Sequence, residues 1–418
     1  MPLRYLLCFC AIALTAAPLL ASEGEWPQFR GPGGQGISNA VDVPVEWNAN
    51  KNVAWKIEIP GKGWSSPVVA DGKVYLTTAA DKNGGPVSLW AICIDADSGK
   101  VLWDTNVFTP DPAAVRAMHP KNSPASATPI VTADRLYVHF GHLGTAALDL
   151  TGKIIWRENA LKYSPVHGNG GSPALIKDTL IFTCDGARDP FVAALDANSG
   201  KLKWTTPRNS PARKPFSFST PLQIEVDGAT QAVIPGSGFV GGYDPASGHE
   251  LWRVLYGEGY SVVPRPVFSH GLLFLSSGFD SPVMYAIKPA GAKGDVTRTN
   301  VAWTQRKGAP LTPSMLVVGD ELYSVSDGGI ATCANLETGK PYWTQRLEGN
   351  FSASPVFADG RIYFQSEAGV GFVIKAGKTF ALLSQDDLSE RSLASDAVID
   401  HALFIRTERH LWKIAVKK

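Results

Sequence analysis

The feature that most constrains the fold is a short turn that keeps returning: an acidic residue, then Gly-Lys, then Trp. It reads Asp95-Ala-Asp-Ser-Gly99-Lys-Val-Leu-Trp103, Asp149-Leu-Thr-Gly152-Lys-Ile-Ile-Trp156 and Asp196-Ala-Asn-Ser-Gly200-Lys-Leu-Lys-Trp204. It returns as Asp244-Pro-Ala-Ser-Gly248-His-Glu-Leu-Trp252 and as Asn335-Leu-Glu-Thr-Gly339-Lys-Pro-Tyr-Trp343, where Asn replaces Asp. Trp303 closes a degenerate copy whose longer turn passes through Gly291 and Gly294. Each copy describes a hairpin. The Asp or Asn side chain bonds its own following backbone, Gly takes a positive-φ position, and Lys leads into the next strand. The Trp then offers a flat apolar face to a neighbouring unit. Self-similarity at this period marks a repeat architecture.

A second signature runs in step: Ser or Thr, then Pro, then an apolar run. Its members are Ser66-Pro67, Thr128-Pro129, Ser172-Pro173, Thr220-Pro221, Thr312-Pro313 and Ser354-Pro355, with Arg265-Pro266 and Ser395-Asp396 as departures. The eight positions are separated by 62, 44, 48, 45, 47, 42 and 41 residues. Proline cannot donate to a ladder, so it belongs at the start of an edge strand. The innermost strand of a propeller blade, facing the central channel, is such an edge. The expected fold is therefore all-β: an eight-bladed β-propeller of four-stranded antiparallel blades. The stretch from Ser392 to Lys418 has room for only three strands, and Asn52-Val-Ala-Trp55-Lys-Ile-Glu-Ile59 supplies a fourth. Closure by this N-terminal strand removes the open sheet edges that invite aggregation.

Composition agrees. With 41 Gly and 30 Pro for turns and only 18% charged residues, neither disorder nor a long-helix protein fits. Residues 1–22 read as a signal peptide: Arg4, an apolar stretch from Tyr5 to Leu20, then small residues at Ala21 and Ser22. Residues 23–51 form an N-terminal extension, and 52–418 a single propeller domain. No segment is a membrane-span candidate. The chain has 39 basic and 38 acidic residues, and removing the signal takes away Arg4 alone. A balance near zero gives no global attraction to nucleic acid. Cys93, Cys184 and Cys333 lie far apart in strand-like runs, so they read as small buried hydrophobes and not as a disulfide framework.

The two signatures resemble the quinoprotein (pyrroloquinoline quinone) propeller repeat, with its Ala-Leu-Asp, Thr/Ser-Gly-Lys and Trp elements, over about residues 52–416. The segment Trp26-Pro-Gln-Phe-Arg-Gly-Pro32 is similar to the opening of many exported bacterial propellers of this family. The resemblance implies one of two functional classes. One comprises quinone-dependent alcohol or sugar dehydrogenases; the other comprises cofactor-free scaffolds, such as the assembly lipoprotein of the bacterial outer membrane. Many of the dehydrogenases carry adjacent cysteines over the quinone and hold Ca²⁺ with convergent carboxylate and amide oxygens. This chain has no Cys-Cys pair and no Cys-x-x-Cys-His haem site, and its acids sit mainly in the hairpin turns.

The expectation is an exported, non-catalytic propeller acting as a ligand-binding or protein-interaction scaffold in the periplasm or outside the cell, monomeric and without a cofactor. The alternative is an oxidoreductase using pyrroloquinoline quinone with Ca²⁺ at the channel mouth. Any ligand site should lie where the segments entering the inner strands converge. Those segments bring His119, Lys121, Asn122, His167, Asn169, Arg213, Lys214, Tyr260, Arg265 and Arg391. Such a set suits a small anionic or polyhydroxylated ligand, or an envelope protein partner. Two histidines without an acid or cysteine pattern do not amount to a metal site. Arg265→Ala is expected to weaken binding at nearly unchanged stability.

Overall fold

The computed structural model describes residues 24–115 and 118–416, so the expected signal peptide, residues 1–22, lies outside the described residues. Eight antiparallel sheets succeed one another along the chain. Their innermost strands, which number the blades one to eight, are Val68–Ala70, Ile130–Val131, Ala174–Ile176, Leu222–Val226, Val267–Ser269, Leu316–Val318, Val356–Ala358 and Ala397–Ile399. The inner strand of blade one lies against those of blades two and eight, which closes the ring. The closing strand is the expected one. Val53–Glu58 pairs antiparallel with His410–Ala415 as the outermost strand of blade eight.

The Ser/Thr signature has a direct structural reason. Each hydroxyl accepts the backbone N–H of the equivalent residue in the preceding blade: Ser66 N–H donates to Thr128 Oγ1 at 2.9 Å, Thr128 to Ser172 Oγ at 2.9 Å, and Ser172 to Thr220 Oγ1 at 3.0 Å. The chain of bonds resumes from Arg265 N–H to Ser314 Oγ, Ser314 to Ser354 and Ser354 to Ser395, each 2.9 Å, and ends from Ser395 to Ser66 at 3.1 Å. The girdle corrects one reading. In blade six the repeat position is Ser314-Met315, not Thr312-Pro313, because Ser314 joins the girdle and the strand starts two residues later, at Leu316.

The Trp signature stitches neighbouring blades. Trp103 Nε1 donates to Leu150 O, Trp156 to Ala197 O and Trp303 to Leu336 O, each 3.0 Å, so each indole bonds the next blade's turn. The turn glycine is needed twice over. Gly152 sits at φ 89, and a Cβ there would lie 2.7 Å from the Trp103 ring. Blade five has the degenerate turn, and Trp252 accordingly turns inward to Gln231 Oε1 at 2.8 Å. The long turn instead sends Gly294–Asp295 back to pair in parallel with Trp252 and Arg253 of blade four. Blade seven has no Trp in its outer strand, Leu382–Asp387. Trp47 of the extension takes that place, with its ring 6.4 Å from Tyr363.

The extension also runs through the lower channel and satisfies the inner-strand edges there. Trp26 exchanges both backbone hydrogen bonds with Val69 in blade one, and Pro27 O accepts Val131 N–H in blade two. Gly36 O accepts the N–H of Phe357 in blade seven, and Ser38 Oγ donates to Val398 O in blade eight. In these four blades the inner edge is thus covered by the chain itself.

Cys93, Cys184 and Cys333 are buried and unpaired in strands, and burial pushes the thiols of Cys93 and Cys333 up to about 11. Thiolate is the reacting species. Alkylation by iodoacetamide at pH 8 should therefore modify none of the three in the native protein and all three in urea. Rapid native labelling would contradict their placement.

Candidate functional site

The segments entering the inner strands surround a cavity of about 750 Å³. Its wall includes Ser66, Thr128, Ser172, Thr220, Ser314, Ser354 and Ser395 from seven blades and Val263 from the entry to blade five, which places it on the ring axis. Phe29 of the extension contributes from below. The site is therefore a cup: blades form the wall, the extension forms the floor, and the entry segments form the rim.

Six of the ten residues expected at the mouth line this cup: His119, Lys121, Asn122, His167, Lys214 and Tyr260. The segment carrying the first three is anchored across the rim. Lys121 Nζ lies 2.5 Å from Glu367 Oε1 on blade seven, and that same oxygen accepts Ser352 Oγ at 2.6 Å. His119 N–H and Asn122 Nδ2 both donate to His167 O, at 3.2 and 2.9 Å. His119 Nδ1 accepts the Lys121 N–H at 3.2 Å, which leaves the proton of the neutral ring on Nε2. Burial, and then the neighbouring His119, lower the His167 pKa, which favours a neutral ring at His167. Lys214 Nζ donates to Tyr260 Oη at 2.9 Å and lies 4.2 Å from that ring's centroid, while the phenol donates to Asp280 at 2.9 Å. The hydrogen bond to Tyr260 raises the Lys214 pKa and keeps the ammonium charged.

The other four do not line the cup. The Asn169 amide is used locally, donating to Gly171 O at 3.1 Å and accepting from Tyr163 Oη at 3.2 Å. Arg213 points to solvent beside Glu258, with its side chain 88% exposed. Arg391 lies 5.5 Å from the Trp64 ring and reaches Pro120 O at 3.4 Å, so it backs the rim. Arg265 corrects the sequence reading most sharply. It is fully buried and turned down to the floor, where Nε donates to Pro221 O at 3.1 Å, Nη1 to Phe29 O at 2.7 Å and Nη2 to Gln28 Oε1 at 3.2 Å.

Phe216, Phe279, Trp64 and Asp327, which the sequence reading did not assign to the site, complete it. An arc of rings runs His119–His167–Phe216–Tyr260–Phe279, with successive centroids 5.5, 5.6, 5.4 and 5.9 Å apart. Trp64 and Asp327 also face the cavity. The hydroxyl girdle was visible as Ser/Thr-Pro, a strand-start signal; only the ring geometry shows that it also faces a cavity.

Fold and cup together define an eight-bladed β-propeller with an axial cavity. The sequence family described as outer membrane protein assembly factor BamB matches residues 37–164, 92–288 and 292–391, and the chain belongs to that family. Among curated proteins it is 27% identical over 204 residues to the quinohemoprotein alcohol dehydrogenase ADH IIB of Pseudomonas putida, covering 46% of this chain and 28% of that one. It is 25% identical over 331 residues to the dehydrogenase subunit of the quinone alcohol dehydrogenase of Gluconacetobacter polyoxogenes, covering 68% of this chain and 40% of that one. The chain thus spans well under half the length of these relatives. Among solved structures, BamB from Moraxella catarrhalis superposes with a TM-score of 0.63 at 14% identity, covering 87% of this chain and 97% of that one. A europium-containing methanol dehydrogenase superposes with a TM-score of 0.66 at 13% identity, covering 92% and 90%. At these identities the structural likeness concerns the fold.

Proposed function

We propose that this chain is an exported, non-catalytic propeller of the cell envelope that holds a small anionic or polyhydroxylated ligand in its axial cup. The observation that carries the reading is the cup itself: a cavity of about 750 Å³, floored by the extension and rimmed by Lys121, Lys214 and the aromatic arc. That volume is within the range of small-molecule sites. Membership of a family described as an outer membrane protein assembly factor supports a role in the envelope. No helix among the described residues is long and apolar enough to cross a membrane.

Native mass spectrometry of protein purified from an envelope fraction should show a bound small molecule, released on denaturation and identified by fragmentation. With that compound, Lys214→Ala should weaken binding about tenfold, the scale of one charge-assisted hydrogen bond, and leave the melting temperature unchanged. An unliganded protein with no small-molecule affinity would sink the proposal.

The second reading, a quinone-dependent oxidoreductase, draws on the dehydrogenase relatives. A calcium–quinone centre needs convergent free carboxylates. The carboxylates at the rim are engaged instead: Asp327 Oδ2 accepts the N–H groups of Leu311 and Thr312 at 2.7 and 3.0 Å, and Glu367 holds Lys121 and Ser352. The residues present do not fit the metal half of such a centre, which supports the non-catalytic reading. Incubation with pyrroloquinoline quinone and Ca²⁺ tests it. A stable chromophore with dye-linked alcohol oxidation would favour the enzyme.

A further inference from the structure

The strand order gives the two faces of the ring different surfaces. Each inner strand leaves the cup, the second returns and the third leaves again, so the turn before an outer strand lies on the face opposite the cup. On that face the outer strands of blades one, two, three, six and seven open with exposed apolar residues: Val101-Leu102, Ile155, Leu202, Tyr342 and Leu382-Leu383. In blade eight, Val416 follows the third strand out on the same face. Val41 lies there too, its carbonyl accepting His401 Nδ1–H in the turn after the inner strand of that blade, at 2.9 Å. These nine are 39–56% exposed. Among the described residues the one other large hydrophobic side chain so exposed is Phe279, at the cup. Single exposed hydrophobes are ordinary, but here nine of ten share a face.

They also form an unbroken arc. Blades six, seven, eight, one, two and three follow one another around the ring, and the gap falls at blades four and five. There the long turn of blade five lays Gly294–Asp295 along the outer strand of blade four. The repeat sets a charge beside the apolar points: Lys100, Lys153, Lys201 and Lys340 precede them by one or two residues. All four are exposed, and among the described residues none of them is ion-paired. Nearby acids are engaged. Asp71, Asp178 and Asp359 hold Lys73, Lys203 and Arg361, while Asp95, Asp149 and Asp196 accept N–H groups of their own turns. A lysine stem can carry its ammonium to a phosphate while the aliphatic side chain beside it sinks below the headgroups. The chain enters on this face as well. A Cβ on Gly24 would lie 3.0 Å from Asp400 Oδ1, in the turn after the inner strand of blade eight. The apolar stretch Tyr5–Leu20, expected to be a signal peptide, is therefore attached near the middle of the arc, and a signal is held by the membrane during export.

We propose that this arc is a peripheral docking surface for an anionic phospholipid bilayer. The exposed aliphatic and tyrosine side chains enter the interfacial layer, the turn lysines meet lipid phosphates, and the cup faces away, open to water. A second copy of the chain fits this face less well. Two such arcs brought together would set lysine against lysine, and anchors separated by polar turns leave no continuous apolar area to bury. A fluid bilayer accepts the anchors one at a time. The inference is independent of what the cup holds.

The test floats the full mature protein with vesicles of equal parts phosphatidylglycerol and phosphatidylcholine. The parent should float with the lipid. Combining Leu102→Gln, Leu202→Gln and Leu383→Gln should weaken binding at least about tenfold, because three buried anchors are lost. Combining Lys100→Ala, Lys153→Ala and Lys201→Ala, or omitting phosphatidylglycerol, should weaken it severalfold. Orientation is read separately, from a polarity-sensitive fluorophore on one new cysteine, the three native thiols being buried. The label at Val101→Cys should shift to the blue on vesicles, and the label at Arg213→Cys, a solvent-facing position in a segment entering the cup, should not. Each of these cysteines replaces one exposed residue, so this reading stands even if the triple variants misfold. Failure of the parent to float, flotation of the folded leucine variant like the parent, or a blue shift at position 213 alone would overturn the proposal. So would a concentration-dependent dimer in sedimentation that the leucine substitutions abolish, which would assign the face to a second copy.

Discussion

Arg265→Ala should lower the free energy of unfolding by about 3–5 kcal/mol, among the larger effects of a single substitution. The side chain holds three acceptors at once: Pro221 O on its own side of the ring, and Phe29 O and Gln28 Oε1 on the extension. Removing it leaves Pro221 O without its donor in a buried site and frees the two partly buried acceptors on the extension. The space left cannot collapse easily, since Gly34 is packed directly against the guanidinium. Arg265→Lys should rescue little, because an ammonium lacks the planar fork that spans three acceptors. Urea denaturation followed by tryptophan fluorescence measures both variants. A loss below about 1 kcal/mol for the alanine variant would show that the floor does not depend on this contact.

Asp396→Asn should act in the opposite direction and depend on pH. Asp396 stands where most blades have Pro, next to the girdle's Ser395, and burial pushes its carboxyl up from 3.8 to about 7. Its Oδ1 has no hydrogen-bond partner. Between about pH 4 and pH 7 the unfolded chain has released this proton while the folded chain keeps it, so stability falls as pH rises across that window and levels off above it. The shift of about three units corresponds to roughly 4 kcal/mol at pH 8, an upper scale for one carboxyl. The asparagine variant keeps the shape without the charge. It should match the parent near pH 4 and exceed it by up to that amount at pH 8. Asp185, raised by burial to about 6 beside Arg208, contributes its own slope to both proteins, so the informative quantity is their difference. A variant no more stable than the parent at pH 8 would mean that Asp396 is ionised in the folded state without penalty.

The architecture was legible because its signals are backbone requirements repeated from blade to blade. A hydroxyl must receive the neighbour's N–H, and a glycine must lie under an indole. One error arose where a look-alike competed: Thr312-Pro313 has the right letters, two residues ahead of Ser314, the residue that forms the bond. The site was half legible. Lys121, His167 and Lys214 were found because charged and aromatic residues in entry segments tend to meet at the mouth. Arg265 was misplaced because sequence order shows that it begins an inner strand, and not whether its side chain rises to the rim or drops to the floor. What pulls it down is Phe29 and Gln28, more than two hundred residues earlier, a pairing that no local pattern carries. Trp47 was invisible for the same reason: it completes blade seven from the far end of the chain.

The strand Val53–Glu58 pairs with His410–Ala415, so the two ends of the propeller meet only when every intervening blade is in place. Contacts between segments this distant in sequence form late, because the entropy of closing so long a loop must be met first. Until then the molecule is an open arc with two bare sheet edges, the species most prone to pair with a second chain. The segment that will become the floor, from Trp26 to Gly36, is synthesised before the blades but cannot take its shape until blades five, six and seven arrive to hold it. The axial cup is therefore the last part of the molecule to exist, and on the proposed function a bound ligand reports that assembly is complete.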